Sequence, residues 1–307
     1  MNPSNRVLVT GATGFIGRQS LAPLMERGYE VHALCTKEPV ESDRSVLWHT
    51  ADLLEEGAAA GLCTEIRATH LLHFAWYVDP KDYKTSPQNK RWQEATAGLV
   101  HAFGEAGGKR AVLAGTCMEY DWTVPQEALV ENVSPVAPAT PYGIAKNDTR
   151  LVCEEYANGS GLSFAWGRIF NLYGPYEPLP RLVPQVINSL FDGKAPHIDA
   201  GGVVMDYSYV LDTAGAFAAL LESDVTGSVN IGSGKPVRLK DIAVCVAEIL
   251  DRSDLVRAIA ETVPGNQPAR IVADVTRLRS EMGWTSKYDL RRGLEETVEW
   301  WKRARAG

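Results

Sequence analysis

The stretch VLVTGATGFIGRQSL, residues 7 to 21, constrains the fold more than any other part of the chain. Val7 to Val9 form an apolar run of strand character, a helix begins near Arg18, and Gly11, Gly14 and Gly17 fill the turn between them. Glycine is needed in such a turn for three reasons: the bend is tight, the backbone must lie close to a phosphate, and the helix must pack hard on the strand. The start of the helix then offers N–H groups and a partial positive charge to an anion. The segment therefore reads as a nucleotide-phosphate loop in which Gly11, Thr13, Gly14, Phe15, Ile16, Gly17 and Arg18 line the ligand. The alternative is a turn of purely structural use.

Beyond the loop, short apolar runs alternate with helical stretches. Strands are expected at 6–9, 30–34, 45–49, 70–76, 110–115 and 164–170, and helices at 18–27, 91–106 and 142–157. Several runs are apolar almost throughout, as strands covered on both faces should be. The alternation implies an α/β fold, a Rossmann-type doubly wound parallel sheet. Near residue 171 the texture changes, with Pro and Gly punctuating NLYGPYEPLP. We expect a dinucleotide-binding unit over 1–170 and a smaller α/β substrate lobe over 171–307, with some interleaving of segments and a ligand cleft between them.

The charge pattern narrows the function classes. A net charge of -7 without a stripe of Lys and Arg argues against a nucleic-acid surface. No apolar run approaches the ~20 residues that cross a bilayer, and none after Met1 matches a secretion signal, so a cytoplasmic location is the default. The five cysteines and six histidines show no metal-ligand spacing, and no metal is expected.

In a fold of this kind an acidic residue about 20 positions past the loop holds the ribose 2′-hydroxyl of NAD. Here the second strand ends VHALCTK, residues 31 to 37, which puts Cys35 at 35 − 17 = 18 positions beyond Gly17. The neutral Cys35 and Thr36 leave room for a 2′-phosphate, with Lys37 and Arg18 as its cationic partners and Arg44 a more distant one. NADP is the expected cofactor. NAD is the alternative, in which Glu38 or Asp43 curls back to the ribose.

TPYGIAK places Tyr142 and Lys146 four residues apart, on one face of a helix. That helix follows AGTCMEYD, whose Thr116 lies just past the fifth strand, where open α/β sheets hold their ligands. The three residues suit hydride transfer to a carbonyl. A phenol in reach protonates the oxygen on which charge develops, an adjacent ammonium lowers the phenol's pKa from about 10, and the Thr116 hydroxyl steadies the oxygen.

Taken together, these motifs resemble the extended short-chain dehydrogenase/reductase family, and the resemblance spans nearly the whole chain. TGATGFIG is similar to the family's TGxxGFIG loop. Asp52-Leu53 looks like its adenine-binding Asp-Leu pair, and HFAW (73–76) like its HLAA segment, which implies cofactor contacts from Phe74, Ala75 and Trp76 as well as from Tyr142 and Lys146. RIFNLYGP (168–175) resembles R-x-F-N-x-Y-G-P, which implies that Asn171 contacts substrate, with Phe170 beside the cofactor. DYSYVLDTA (206–214), VNIGSG (229–234) and MGW…GLEETVEWW also match. The resemblance implies an enzyme acting on a nucleotide-linked sugar as an epimerase, dehydratase or reductase, with Thr116, Tyr142 and Lys146 in the family's Ser/Thr, Tyr and Lys roles. It also implies a homodimer formed through the helices at 91–106 and 142–157.

Departures from the family pattern sort these activities. Cys117 and Met118 stand where family dehydratases carry an Asp-Glu acid–base pair, which disfavours dehydration and leaves the two residues as substrate contacts. Met205 and Val263 stand where arginines commonly grip the diphosphate; Arg181, Arg257 and Arg270 are the nearby candidates to replace them. Trp76, Tyr77, Tyr83 and Trp92 crowd the loop 76–92, either to stack on a sugar or base or to fill the gap between helix and sheet. An NADP-type pocket fits a net reductase, so the expected activity is an NADPH-dependent 4-ketoreductase of a deoxy nucleotide sugar. The runner-up is an NAD-dependent nucleotide-sugar 4-epimerase, and a more distant alternative is a non-catalytic NADP-sensing regulator.

Overall fold

The computed structural model describes residues 5–37, 44–265 and 268–306. Glu38 and Asp43, the alternative ribose partners, lie outside the described residues. The first half of the chain runs β1 (Arg6–Thr10), α1 (Gly17–Glu26), β2 (Glu30–Cys35), β3 (Leu47–Thr50), α2 (Ala58–Ile66), β4 (His70–His73), α3 (Gln88–Glu105), β5 (Arg110–Thr116), α4 (Pro141–Ser160) and β6 (Ser163–Ile169). The second half adds β7 (Asn171–Tyr173), α5 (Leu182–Phe191), β8 (Val204–Tyr209), α6 (Val210–Glu222), β9 (Gly227–Ile231), β10 (Pro236–Arg238), α7 (Leu239–Ile249), β11 (Arg270–Ile271), α8 (Thr276–Ser280) and α9 (Leu290–Ala306).

Among the described residues, a seven-stranded sheet has the order β3-β2-β1-β4-β5-β6-β9, with every pairing parallel. Strand order reverses between β1 and β4, which opens a crevice at the carboxyl ends of the strands. The two faces of the sheet divide the apolar residues by the period of two that strands impose. Val7, Val9, Leu72, Val112 and Ala114 pack with Leu24 of α1 and Phe217 of α6, while Leu8, Leu71, Ala111 and Leu113 pack with Leu62 of α2, Leu99 of α3 and Cys153 of α4. β5 is buried along its whole length, and each fully buried side chain such as Leu113 contributes about 1.5–3 kcal/mol.

One expectation needs correction, and one helix has no forerunner. The fourth strand ends at His73 and not at residue 76, because its partner runs out. Phe74 N–H donates to the Thr10 carbonyl at 3.1 Å, and Gly11 then turns away with φ +67°. Helix α2 has no counterpart in the sequence reading. It starts at Gly57, itself left-handed, without a side-chain cap, so the usual start signal is missing; the spacing of Leu62, Cys63 and Ile66 was the trace it left.

A second sheet gathers β7, β8, β10 and β11 around β8, covered by α5, α7 and α9 through Val183, Ile187, Ile242, Val246 and Leu294. Between β8 and β10 the chain returns to the first sheet, where α6 packs against α1 and β9 pairs with β6. No helix among the described residues is long and apolar enough to cross a membrane.

Candidate active site

The carboxyl end of β5 forms the floor of the site. Thr116 ends the strand, and the chain makes a single 3-10 turn over Cys117–Glu119. The turn is closed by a capping box: Thr116 Oγ1 accepts from Met118 N–H at 3.2 Å, and Glu119 Oε1 accepts from Thr116 N–H at 2.9 Å. Glu119 is fully buried and receives two further bonds, from Trp166 Nε1 and from Arg168 Nε, each at 2.8 Å. Arg168 is also buried, so an ion pair sits inside the core directly beneath Thr116. The sequence reading missed Glu119 and Arg168 as a pair; the T-x-x-E spacing of the capping box was the signal present.

Helix α4 delivers the other two residues. Thr140 caps it by accepting from Gly143 N–H at 3.1 Å, and Pro141 occupies its first position. A Cβ at Gly143 would lie 2.5 Å from the Met118 carbonyl, so only glycine lets the helix start this close to the 3-10 turn. Tyr142 and Lys146 consequently face the end of β5, and both are buried. The Lys146 ammonium donates to the Ala114 carbonyl at 2.9 Å and lies 3.8 Å from the centre of the Trp76 ring.

Burial dominates the proton affinities here. It lowers Lys146 from its ordinary 10.5 to about 7, with Glu119 opposing the shift. Burial and the neighbouring Tyr83 push the Tyr142 phenol up, while a side-chain hydrogen bond with Thr116 pulls it down. At rest the Lys146 ammonium is engaged by a carbonyl and an indole face, and desolvation outweighs any acidifying effect it has on the phenol. His73, in hydrogen-bond contact with Thr10 Oγ1 at 2.7 Å and Thr96 Oγ1 at 3.0 Å, is held neutral by burial and by Lys146, its pKa falling to about 3.

The aromatic loop 76–92 walls this centre. Trp76 and Tyr83 pack edge-on against Tyr142, with ring centres at 6.4 and 5.1 Å. Asn89 holds both walls, accepting from Trp76 Nε1 at 2.9 Å and donating to the Tyr83 carbonyl at 2.7 Å. Both rings are buried. The Tyr77 hydroxyl donates to Asp82 at 2.7 Å.

Beside the centre, the glycine loop makes the close backbone contacts that a tight strand-to-helix turn requires. A Cβ on Gly11 would stand 2.7 Å from Ala75 N, and one on Gly17 would stand 2.1 Å from the Gly11 carbonyl, so both glycines are required by packing. Gly14 meets only Gly11 O, at 3.1 Å, and with exposed Thr13 it forms the open face of the loop. Helix α1 begins there with neither a side-chain cap nor an acidic residue in its first turn, which suits a phosphate. Phe15 and Ile16 are half-buried beside it. Asp52 accepts from Leu54 N–H at 2.9 Å, and Leu53 is buried at the end of β3. Ala75 N–H reaches Thr10 Oγ1 at 3.4 Å, whereas the Phe74 ring turns to Phe217 and Phe170 enters the core.

At the ribose end, Cys35 is buried and its thiol donates to the His49 carbonyl at 3.4 Å, while Thr36 and Lys37 are exposed. The pairing of Arg18 with Lys37 around a 2′-phosphate is not what this geometry provides. Arg18 donates twice to the Thr13 carbonyl, at 3.1 and 2.6 Å, and stacks on Tyr176.

On the substrate side, Asn171 donates to the Asp206 carbonyl at 3.2 Å and ties β7 to β8. The Arg181 guanidinium lies over the Tyr83 ring at 5.1 Å, with that one ring between it and Tyr142. Arg270 is tied to Glu127 and Arg257 is exposed, so of the three arginines Arg181 is the one seen against the aromatic wall. Cys117 is buried, its thiol pushed up to about 12, and Met118 is half-buried against the aromatic wall. Glu177, which the sequence reading passed over, is buried beside Arg181 with its carboxyl raised well above the ordinary range by desolvation.

Residues 7–232 match the family model described as the NAD dependent epimerase/dehydratase family. UDP-glucuronic acid decarboxylase 5 of Arabidopsis thaliana is 27% identical over 94% of this chain and 87% of its own length. A probable dTDP-glucose 4,6-dehydratase of Sinorhizobium fredii is 25% identical over 96% of this chain and 92% of its own. Among solved structures, the UDP-glucose 4-epimerase of Thermus thermophilus in complex with NAD is 27% identical, with a TM-score of 0.82 over 97% of this chain and 99% of that one. DesIV, a dTDP-glucose 4,6-dehydratase of Streptomyces venezuelae with NAD bound, shares the fold at 24% identity and a TM-score of 0.84, over 98% of each chain.

Proposed function

Because the chain belongs to the NAD-dependent epimerase/dehydratase family, enzymes of the short-chain dehydrogenase/reductase type, we propose that it is an NADPH-dependent reductase of a 4-keto group on a nucleotide-linked deoxy sugar. The observation that carries this reading is the Tyr142 phenol, buried against Thr116 and kept protonated, and therefore ready to give a proton to a carbonyl oxygen. When bound, a reduced nicotinamide supplies the hydride. Thr116 Oγ1 holds the substrate oxygen, Tyr142 protonates it, and Lys146, one helical turn on, answers the charge left on the phenolate. Trp76 and Tyr83 keep water away from the phenol. Cys117 and Met118 supply no acid–base pair, which speaks against dehydration. On the substrate side, Tyr77, Asn171 and Arg181 are the contacts we assign.

The cofactor assignment rests on Cys35, Thr36 and Lys37, which leave the ribose end without a described carboxylate and with an exposed ammonium. We assign the protein to the cytoplasm as a homodimer, supported by the exposed Ile144, Leu151 and Val152 on α4; a monomer mass by light scattering at micromolar concentration would refute the dimer.

NAD-dependent 4-epimerisation is the second reading, favoured by the 27% identity to a UDP-glucose 4-epimerase complexed with NAD. One experiment separates the two. The protein is mixed with NADPH and a panel of 4-keto nucleotide sugars, and the absorbance of the reduced nicotinamide is followed. Consumption of NADPH supports the reductase. Interconversion of 4-epimers on tightly held NAD, with no NADPH consumed, supports the epimerase.

A further inference from the structure

Tyr176 sits in the β7–α5 loop with a left-handed backbone, φ +70°, that side-chain-bearing residues seldom adopt. Its side chain is half exposed, so core packing does not account for the conformation. What does hold the ring is contact with two groups from separate parts of the chain. The Arg18 guanidinium lies 4.0 Å from the centre of the Tyr176 ring, and Trp300 of α9 lies 4.8 Å from it on ring centres. Arg18 is fixed from its other side by the Thr13 carbonyl, which takes both Nε and Nη2. The guanidinium is therefore held at Thr13 of the glycine loop, walled by a ring from the loop that follows β7.

We infer that the Arg18–Tyr176 stack is a clasp over the diphosphate of a bound dinucleotide, with Tyr176 a positioning residue that sets how fast the dinucleotide leaves. The inference rests on the dinucleotide reading of the glycine loop. A guanidinium is suited to a diphosphate by its planar donors and permanent charge. Without a wall, a long side chain at a helix start samples many rotamers and must be ordered each time a ligand binds. With the ring in place that ordering precedes binding. The charge of Arg18 is present either way, so the ring affects dissociation and leaves association, which charge steers, nearly untouched.

The test is the release rate of NADPH, and separately of NAD, by stopped-flow displacement with nicotinamide fluorescence as the signal for the reduced form and quenching of protein fluorescence for the oxidised one. Tyr176→Gly suits the left-handed backbone and so removes the ring without straining the fold, which a melting curve checks. Release from Y176G is expected to be about three- to tenfold faster than from the unaltered protein, the size of a partly exposed cation–π contact. Y176F, which keeps the ring, releases at the original rate. R18A is at least as fast as Y176G, and the double variant R18A/Y176G is no faster than R18A, since the ring acts through the guanidinium. Equal release from Y176G and the unaltered protein overturns the clasp, as does simple additivity in the double variant. If the unaltered protein binds neither dinucleotide, the loop reading fails and takes the clasp with it, an outcome distinct from binding with unchanged release.

Discussion

The ammonium nitrogen of Lys146 lies 3.8 Å from the centre of the Trp76 indole, on a ring that Asn89 holds in place through its Nε1. The indole face attracts the charge, but the site is dry enough that desolvation dominates and the pKa falls to about 7 from an ordinary 10.5. Below pH 7 both folded and unfolded chains carry the proton, and the buried charge costs its full amount. Between about 7 and 10.5 the unfolded chain alone keeps the proton, so this residue's contribution to stability rises with pH. Lys146→Met is therefore expected to be more stable than the unaltered protein at pH 6, by a few kcal/mol on the order of the shift. The difference should vanish toward pH 10. Urea unfolding of both proteins at pH 6, 8 and 10 checks this, and an unvarying difference would contradict it.

Tyr142→Phe keeps the ring that Tyr83 and Trp76 pack against and deletes the proton. Turnover should drop by about 10²–10⁴-fold, the usual weight of a positioned acid, while the melting temperature stays within a few degrees. A variant that still turns over at a tenth of the original rate would remove Tyr142 from the mechanism.

Glu119→Gln leaves Arg168 charged, buried and without its carboxylate partner. Breaking such a pair from one side costs roughly 3–5 kcal/mol, so the denaturation midpoint should fall accordingly. Turnover at temperatures where the variant remains folded should fall too, because the new amide nitrogen must face either Arg168 Nε or the Thr116 and Trp166 N–H groups, donor against donor, and the turn that fixes Thr116 loosens. Folding stability within about 1 kcal/mol of the original, the worth of an ordinary neutral hydrogen bond, would mean the pair is not the brace described.

Lys37→Ala tests the cofactor assignment. Removal of an exposed ammonium beside a 2′-phosphate should weaken NADP roughly tenfold or more, as for a hydrogen bond to a charged group, and leave NAD unchanged. Cys35→Asp should shift preference toward NAD. Isothermal titration with both dinucleotides reads the ratio, and equal losses for the two would assign Lys37 no part in telling them apart.

Much of the fold was legible because the signals were local. Gly11 and Gly17 declare the loop through their own backbone needs, and β1, β2, β5 and β6 announce themselves as apolar runs. Tyr142 and Lys146 share a helix face whatever their surroundings. What escaped the sequence depended on partners far along the chain. Glu119 is 49 residues from Arg168, and Asn89 is 13 from Trp76. The proton affinity of Tyr142 could not be read from its spacing to Lys146, since the deciding factor is the dryness made by Tyr83 and Trp76. The commitment of Arg18 to Thr13 and Tyr176 was likewise invisible, because the second wall arrives from residue 176 in a conformation the sequence gives no reason to expect.

β9 lies alongside β6 from Ala165↔Gly227 to Ile169↔Ile231, so the polypeptide leaves its main sheet, builds part of the neighbouring one, and comes home to lay the last strand. A cut near residue 170 would not liberate two folding units. The upstream fragment would bare the rim of β6, and the downstream fragment would carry an orphan ribbon with nothing to lie against. The two sheets are thus stitched together by the chain itself, and neither can be exchanged as a module cut at that point.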